Sequence, residues 1–175
     1  MAFARVYSIQ PGFPSSEPVT VEADLSRGLY SFTVVGLPGK AVEEARDRMS
    51  AAIKHSGFDS PKSKNRKVVI SLAPADVKKE GTVFDLPMAL SYLLAAEELS
   101  FDPTGVVFLG ELGLDGTLRP VKGILPAVLA AKSKGFHAVV VPKENAEEAA
   151  LVSGINVFGA GSLSDVIAHV ANNRL

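Results

Sequence analysis

The apolar pattern of the chain changes period at Gly36-Leu37-Pro38-Gly39, and that change limits the folds open to it. Before it, residues 4–8, 19–24 and 30–35 are rich in Val, Tyr, Phe and Thr. Gly, Pro and Ser separate them at residues 11–18 and at Arg27-Gly28, which predicts three strands with an antiparallel start. After it, Val42, Ala45, Met49 and Ile53 recur at helical spacing. Glu43/Arg46 and Glu44/Arg48 are placed to pair on the solvent side, and the helix should stop near Gly57.

A polar, basic loop at residues 59–66 then leads into Lys67-Val68-Val69-Ile70-Ser71-Leu72, whose continuous apolar run predicts a central strand buried on both faces. Asp85 is placed to cap a core helix carrying Leu86, Ala89, Leu90, Leu93 and Leu94 on one face, with Pro87 in its first turn. Residues 106–112 and 117–120 flank Gly113-Leu114-Asp115-Gly116, where Asp-Gly supplies the positive φ angles of a tight hairpin. Beyond it the spacing predicts helices at 124–134, 146–152 and 163–171 alternating with strands at 138–141 and 155–158. Ser162 and Asp165 form a capping-box-like start to the last helix. Hairpin-ordered strands followed by strand–helix alternation define an α+β fold, a mixed sheet with packed helices.

Composition narrows the functions. A length of 175 residues suits one domain, and 47% hydrophobic with 21% charged residues places the chain in the globular class. The formal charge of −1 excludes a globally basic nucleic-acid binder and leaves local patches open. Without cysteine there are no disulfides, thiolate metal sites or cysteine nucleophile, and three scattered histidines do not make a metal site, so no metal is expected. No apolar run reaches the roughly 18–20 residues of a membrane span, and residues 1–10 lack a signal peptide's pattern, so a cytoplasmic protein is expected.

Three motifs carry possible chemistry. Val35-Gly36-Leu37-Pro38-Gly39-Lys40-Ala41 resembles a phosphate loop, but the position of the required first glycine is Val34, and Ala41 has no hydroxyl for magnesium. A plain strand-to-helix turn and no bound cofactor are expected. Lys62, Lys64, Arg66 and Lys67 place four cations in six positions, with no acid between Asp59 and Asp76, and are the candidate contact for DNA or another polyanion. Glu111 and Asp115, on the hairpin, are expected to be solvated charges.

A longer pattern now stands out: Phe32-Thr33-Val34-Val35-Gly36-Leu37-Pro38, Leu72-Ala73-Pro74-Ala75-Asp76, Lys79-Glu80-Gly81-Thr82-Val83-Phe84-Asp85-Leu86-Pro87-Met88-Ala89-Leu90, and Phe108-Leu109-Gly110-Glu111-Leu112 with Leu118-Arg119-Pro120-Val121-Lys122-Gly123-Ile124-Leu125-Pro126. It closely resembles the N-terminal domain of magnesium-chelatase-related AAA+ proteins, the ComM/YifB family, from about Ala4 to about Val170. That domain is similar to the Lon proteolytic domain, of the ribosomal-protein-S5-domain-2-like fold, in which a lysine activates a nucleophilic serine. The resemblance puts Val83 at the serine position and Leu125 at the lysine position; neither can transfer a proton, which implies a protease-like scaffold without catalytic residues. A displaced dyad of Thr82 and Lys122 would lie several ångströms from the required geometry.

By the same resemblance, residues 1–175 are one Lon-like domain of a hexameric, ATP-driven motor that promotes branch migration of DNA. ATP and magnesium are expected only in an AAA+ module absent from this chain. The recombination protein RadA, which also carries a Lon-like domain without protease activity, is a parallel. Ring assembly, DNA contact or both would be the domain's role, with a protein-docking module and a cryptic Thr/Lys peptidase as the alternatives.

Overall fold

The computed structural model describes residues 2–172. Strands β1 (Ala2–Gln10) and β2 (Glu17–Arg27) form a long antiparallel hairpin, followed by β3 (Ser31–Val35), helix α1 (Lys40–His55) and β4 (Arg66–Ala73). Helix α2 (Asp85–Ala95) precedes the short strands β5 (Val106–Phe108), β6 (Glu111–Leu112) and β7 (Leu118–Arg119). The chain continues through α3 (Ile124–Ser133), β8 (Ala138–Pro142), α4 (Ala146–Ala149), β9 (Asn156–Ala160) and α5 (Leu163–Ala171). Seven strands make one mixed sheet in the order β3-β4-β2-β1-β5-β8-β9, and β6 pairs with β7 apart from it. The ladders β1–β2 and β2–β4 are antiparallel; β3–β4, β1–β5, β5–β8 and β8–β9 are parallel.

Alternation explains which face is the core. Along β2, Val19, Val21, Ala23 and Leu25 are buried, and the register sets them beside Val6 and Ser8 of β1 and Val68, Ile70 and Leu72 of β4. Helix α2 covers this face, and α1 packs on α2. Ten of the eleven residues of α2 are buried, as expected of a helix apolar on all sides and enclosed by its neighbours. On the other face Tyr7 meets Phe136, which follows α3, with ring centroids 5.8 Å apart. At the far edge Phe158 of β9 stacks on His169 of α5 at 3.5 Å.

Several expectations need correction. The strand at residues 66–73 is not central; β4 lies next to the edge, and one face is open, with Val69 37% exposed. Asp85 does not cap α2 but is its first residue, and Phe84 holds the cap position without a side-chain hydrogen bond. Residues 106–112 are two strands, since β5 joins the main sheet in parallel and only β6 belongs to the small hairpin. Arg48 does not face solvent to meet Glu44; it turns inward to Asp85. The helix expected over residues 146–152 is one turn long. Ser162 does cap α5, its hydroxyl accepting from the Asp165 N–H at 3.1 Å.

Candidate functional site

The turn into α2 and the hairpin β6–β7 build a groove of about 570 Å3, walled by Thr82, Val83, Glu111, Val121 and Lys122, with Phe13 at its rim. Its inner wall is fixed by hydrogen bonds from the β6 side. The Gly110 N–H donates to the Val83 carbonyl at 2.9 Å, and the Leu86 N–H donates to the Gly110 carbonyl at 3.1 Å. The Thr82 hydroxyl donates to Glu111 Oε2 at 2.9 Å, and Arg119 Nη1 stands 3.9 Å from the other oxygen of that carboxylate. Glu111 is therefore a half-buried acceptor in the groove rather than the solvated charge expected of it.

Behind the turn lies a buried ion pair. Arg48 Nε donates to Asp85 Oδ2 at 2.7 Å and Nη2 to Oδ1 at 3.0 Å, the bidentate geometry suited to a guanidinium. Arg48 Nη2 also reaches the Ala41 carbonyl at 2.6 Å, and the Leu112 N–H donates to Asp85 Oδ2 at 3.0 Å. One carboxylate thus ties α1, α2 and β6 together. Burial pushes the Asp85 carboxyl up to about 6, against the pull of the Arg48 guanidinium and the Leu112 N–H.

A second buried charge braces the neighbouring turn. Lys79 is fully buried, and its ammonium donates to the Gly36 carbonyl at 2.9 Å and to the Pro74 carbonyl. Its backbone closes the same turn, the Lys79 N–H donating to Leu37 and the Gly39 N–H to the Lys79 carbonyl at 2.7 Å. Burial lowers the Lys79 ammonium pKa, with Asp76 pulling it partly back. In Gly36-Leu37-Pro38-Gly39-Lys40 the Gly39 N–H and the Gly36 and Leu37 carbonyls are thus taken up within the protein, as a strand-to-helix turn requires.

Val83, at the position where the resemblance puts a nucleophile, is 4% exposed in the groove wall, and Leu125 packs against the core in the first turn of α3. Thr82 and Lys122 line the same groove, but the Thr82 hydroxyl is given to Glu111.

The four cations singled out in the sequence separate. Lys62 Nζ lies 3.7 Å from Asp47 and Lys64 Nζ 3.0 Å from Asp59, so both carry a counter-charge. Arg66 and Lys67 open β4 and, as successive strand residues, point to opposite faces. The stem of Lys67 lies along Gly28, where an added Cβ would sit 2.8 Å from Lys67 Cε. Arg48, Lys79 and Asp85 lie outside the candidate site residues of the sequence; the signals that point to them are a charged residue inside an apolar run at Asp85 and the place of Lys79 within the motif 79–90.

Comparison with known proteins gives this scaffold its family. The family described as "Subunit ChlI of Mg-chelatase" matches residues 21–145, and the chain belongs to it. Among its relatives, the competence protein ComM of Haemophilus influenzae is 42% identical over 168 residues, covering 95% of this chain and 32% of ComM. YifB of Escherichia coli is 41% identical over 155 residues, covering 88% of this chain and 30% of YifB. Lon protease 2 of Bacillus subtilis is 25% identical over 183 residues, covering 96% of this chain and 32% of that protease. The chain spans about a third of the length of the relatives it matches.

Proposed function

We propose that this chain is a Lon-like domain without peptidase activity, working in a magnesium-chelatase-related AAA+ motor that acts on DNA. The observation that carries the first half is the pair of aliphatic residues, Val83 and Leu125, at the serine and lysine positions. An alkyl side chain cannot be a nucleophile or take its proton, and the adjacent Thr82 hydroxyl points its proton at a carboxylate rather than at an amine. The turn is tied to β6 by backbone hydrogen bonds through Val83 and Gly110, which supports a scaffold for positioning and contact.

The DNA half rests on the likeness to ComM and on Arg27, Arg66 and Lys67 at the β2–β4 end of the sheet, which form no ion pair among the described residues. In this reading the domain helps assemble a cytoplasmic hexameric ring and touches the DNA that the ring moves, while ATP and magnesium serve the motor part of the longer protein. A second reading, a protein-docking module, is favoured by one feature: Phe13 is 99% exposed at the mouth of a groove with apolar walls.

Casein hydrolysis by the pure protein tests the first half. No cleavage is expected, and Thr82→Ala should change nothing; cleavage abolished by Thr82→Ala would restore the peptidase reading. DNA binding unchanged by charge reversal at Lys64 and Arg66, together with loss of a protein partner on Phe13→Ser, would favour the docking module instead.

A further inference from the structure

Arg27 closes β2 and Arg66 opens β4, and the antiparallel register sets the two directly opposite each other. By alternation both side chains leave the sheet on the face of Leu25 and Val68, beside the end of α2. There they line a hollow of about 340 Å3 together with Ser26, Asn65 and Glu97. Among the described residues neither arginine forms an ion pair or a side-chain hydrogen bond, although nearby Lys62 and Lys64 both do. Like charges directly opposite across a ladder destabilise it, so this sheet end carries a repulsion that a bound anion would remove. Opposed Cα atoms in an antiparallel pair are about 5 Å apart, which lets two guanidinium groups close on one phosphate, each with parallel N–H donors.

We propose that Arg27 and Arg66 form a clamp for a phosphodiester of nucleic acid, with Lys67 on the other face of the same strand end as a supplementary cation. The proposal rests on the DNA-contact reading and refines it. The contact lies with Arg27, Arg66 and Lys67, and Lys62 and Lys64 are outside it, each facing a carboxylate, of Asp47 and Asp59, that would also repel a phosphate.

A purely structural role would be service to the negative C-terminal end of α2, where Ala95, Ala96 and Glu97 border the same hollow. The two roles differ in sign. An arginine pair that serves the helix end stabilises the free protein, whereas a pair held ready for phosphate costs it stability.

The test compares the 175-residue chain with Arg27→Gln/Arg66→Gln and with Lys62→Gln/Lys64→Gln, by fluorescence anisotropy on forked DNA across a salt series and by thermal melting without DNA. The arginine variant should bind roughly tenfold or more weakly, and its plot of log affinity against log salt should flatten by about 2, one for each cation removed from the phosphates. Its melting temperature without DNA should hold or rise at low salt, and the lysine variant should bind as the wild type does. Weakened binding in the lysine variant but not in the arginine variant overturns the clamp and leaves the DNA reading standing, and an arginine variant that melts lower overturns it in favour of the helix-end role. If the wild type ignores DNA, the DNA reading fails, and pyrophosphate decides the anion site. Thermal stabilisation of the wild type by pyrophosphate, absent in the arginine variant, would keep the site with a free phosphate as its ligand, and stabilisation of neither would remove it.

Discussion

Arg48 of α1 and Asp85 of α2 meet through two hydrogen bonds of 2.7 and 3.0 Å behind the groove wall, with Asp85 1% exposed. Breaking such a pair leaves a buried charge without a partner, which typically costs about 3–5 kcal/mol. Arg48→Met should therefore lower the unfolding free energy by roughly that amount in urea denaturation. Arg48→Met combined with Asp85→Leu should recover part of the stability, because it removes both charges from the interior but leaves the Leu112 N–H without its acceptor.

The same carboxyl makes stability depend on pH. Its folded pKa of about 6 lies above the ordinary 3.8, so folding favours the protonated form. The stability it contributes is fully present below about pH 4 and is lost as pH rises through about 6. Wild-type stability measured relative to Asp85→Asn should accordingly fall between pH 4 and pH 7, by up to about 3 kcal/mol. A difference that is flat with pH, or that grows as pH rises, would contradict the burial account of this group.

Lys79 braces the turn between β3 and α1 from within, its ammonium on the Gly36 and Pro74 carbonyls. Lys79→Met fits the same space but leaves those oxygens unpaired, at a cost of about 2–4 kcal/mol. Hydrogen exchange should quicken first at Leu37 to Gly39 rather than across the sheet.

Gly36 admits no side chain. Its φ is +107°, and an added Cβ would lie 2.1 Å from the Leu72 carbonyl oxygen, backbone that cannot move aside without breaking β4. Gly36→Ala should destabilise by roughly 2–4 kcal/mol or prevent folding, whereas Gly135→Ala, at a φ of +89° with nothing near the added carbon, should cost only about 1 kcal/mol.

Local signals carried much of the fold. The period change at Gly36-Leu37-Pro38-Gly39, the stripe of Val42, Ala45, Met49 and Ile53, and the Ser162 cap all follow from interactions within a few residues, and each appears where the pattern puts it. What the pattern leaves open depends on distant partners. Val68-Val69-Ile70 reads as doubly buried, yet the face of Val69 is open to solvent, and an apolar run does not encode whether a neighbour covers it. Arg48 reads as a solvent charge since its partner is 37 residues away. The candidate site behaves the same way: Val83 and Leu125, at the positions the resemblance gives to a dyad, are legible from the sequence motif, whereas the opposition of Arg27 and Arg66 exists only once the β2–β4 register is known.

Salt-dependent anisotropy of the wild-type chain on single-stranded, duplex and forked DNA tests the DNA-contacting role most directly. Binding is expected whose log affinity falls linearly with log salt, as phosphate contacts release counterions. No binding at low salt to any of the three would contradict it and would leave the domain a ring-assembly or protein-docking role.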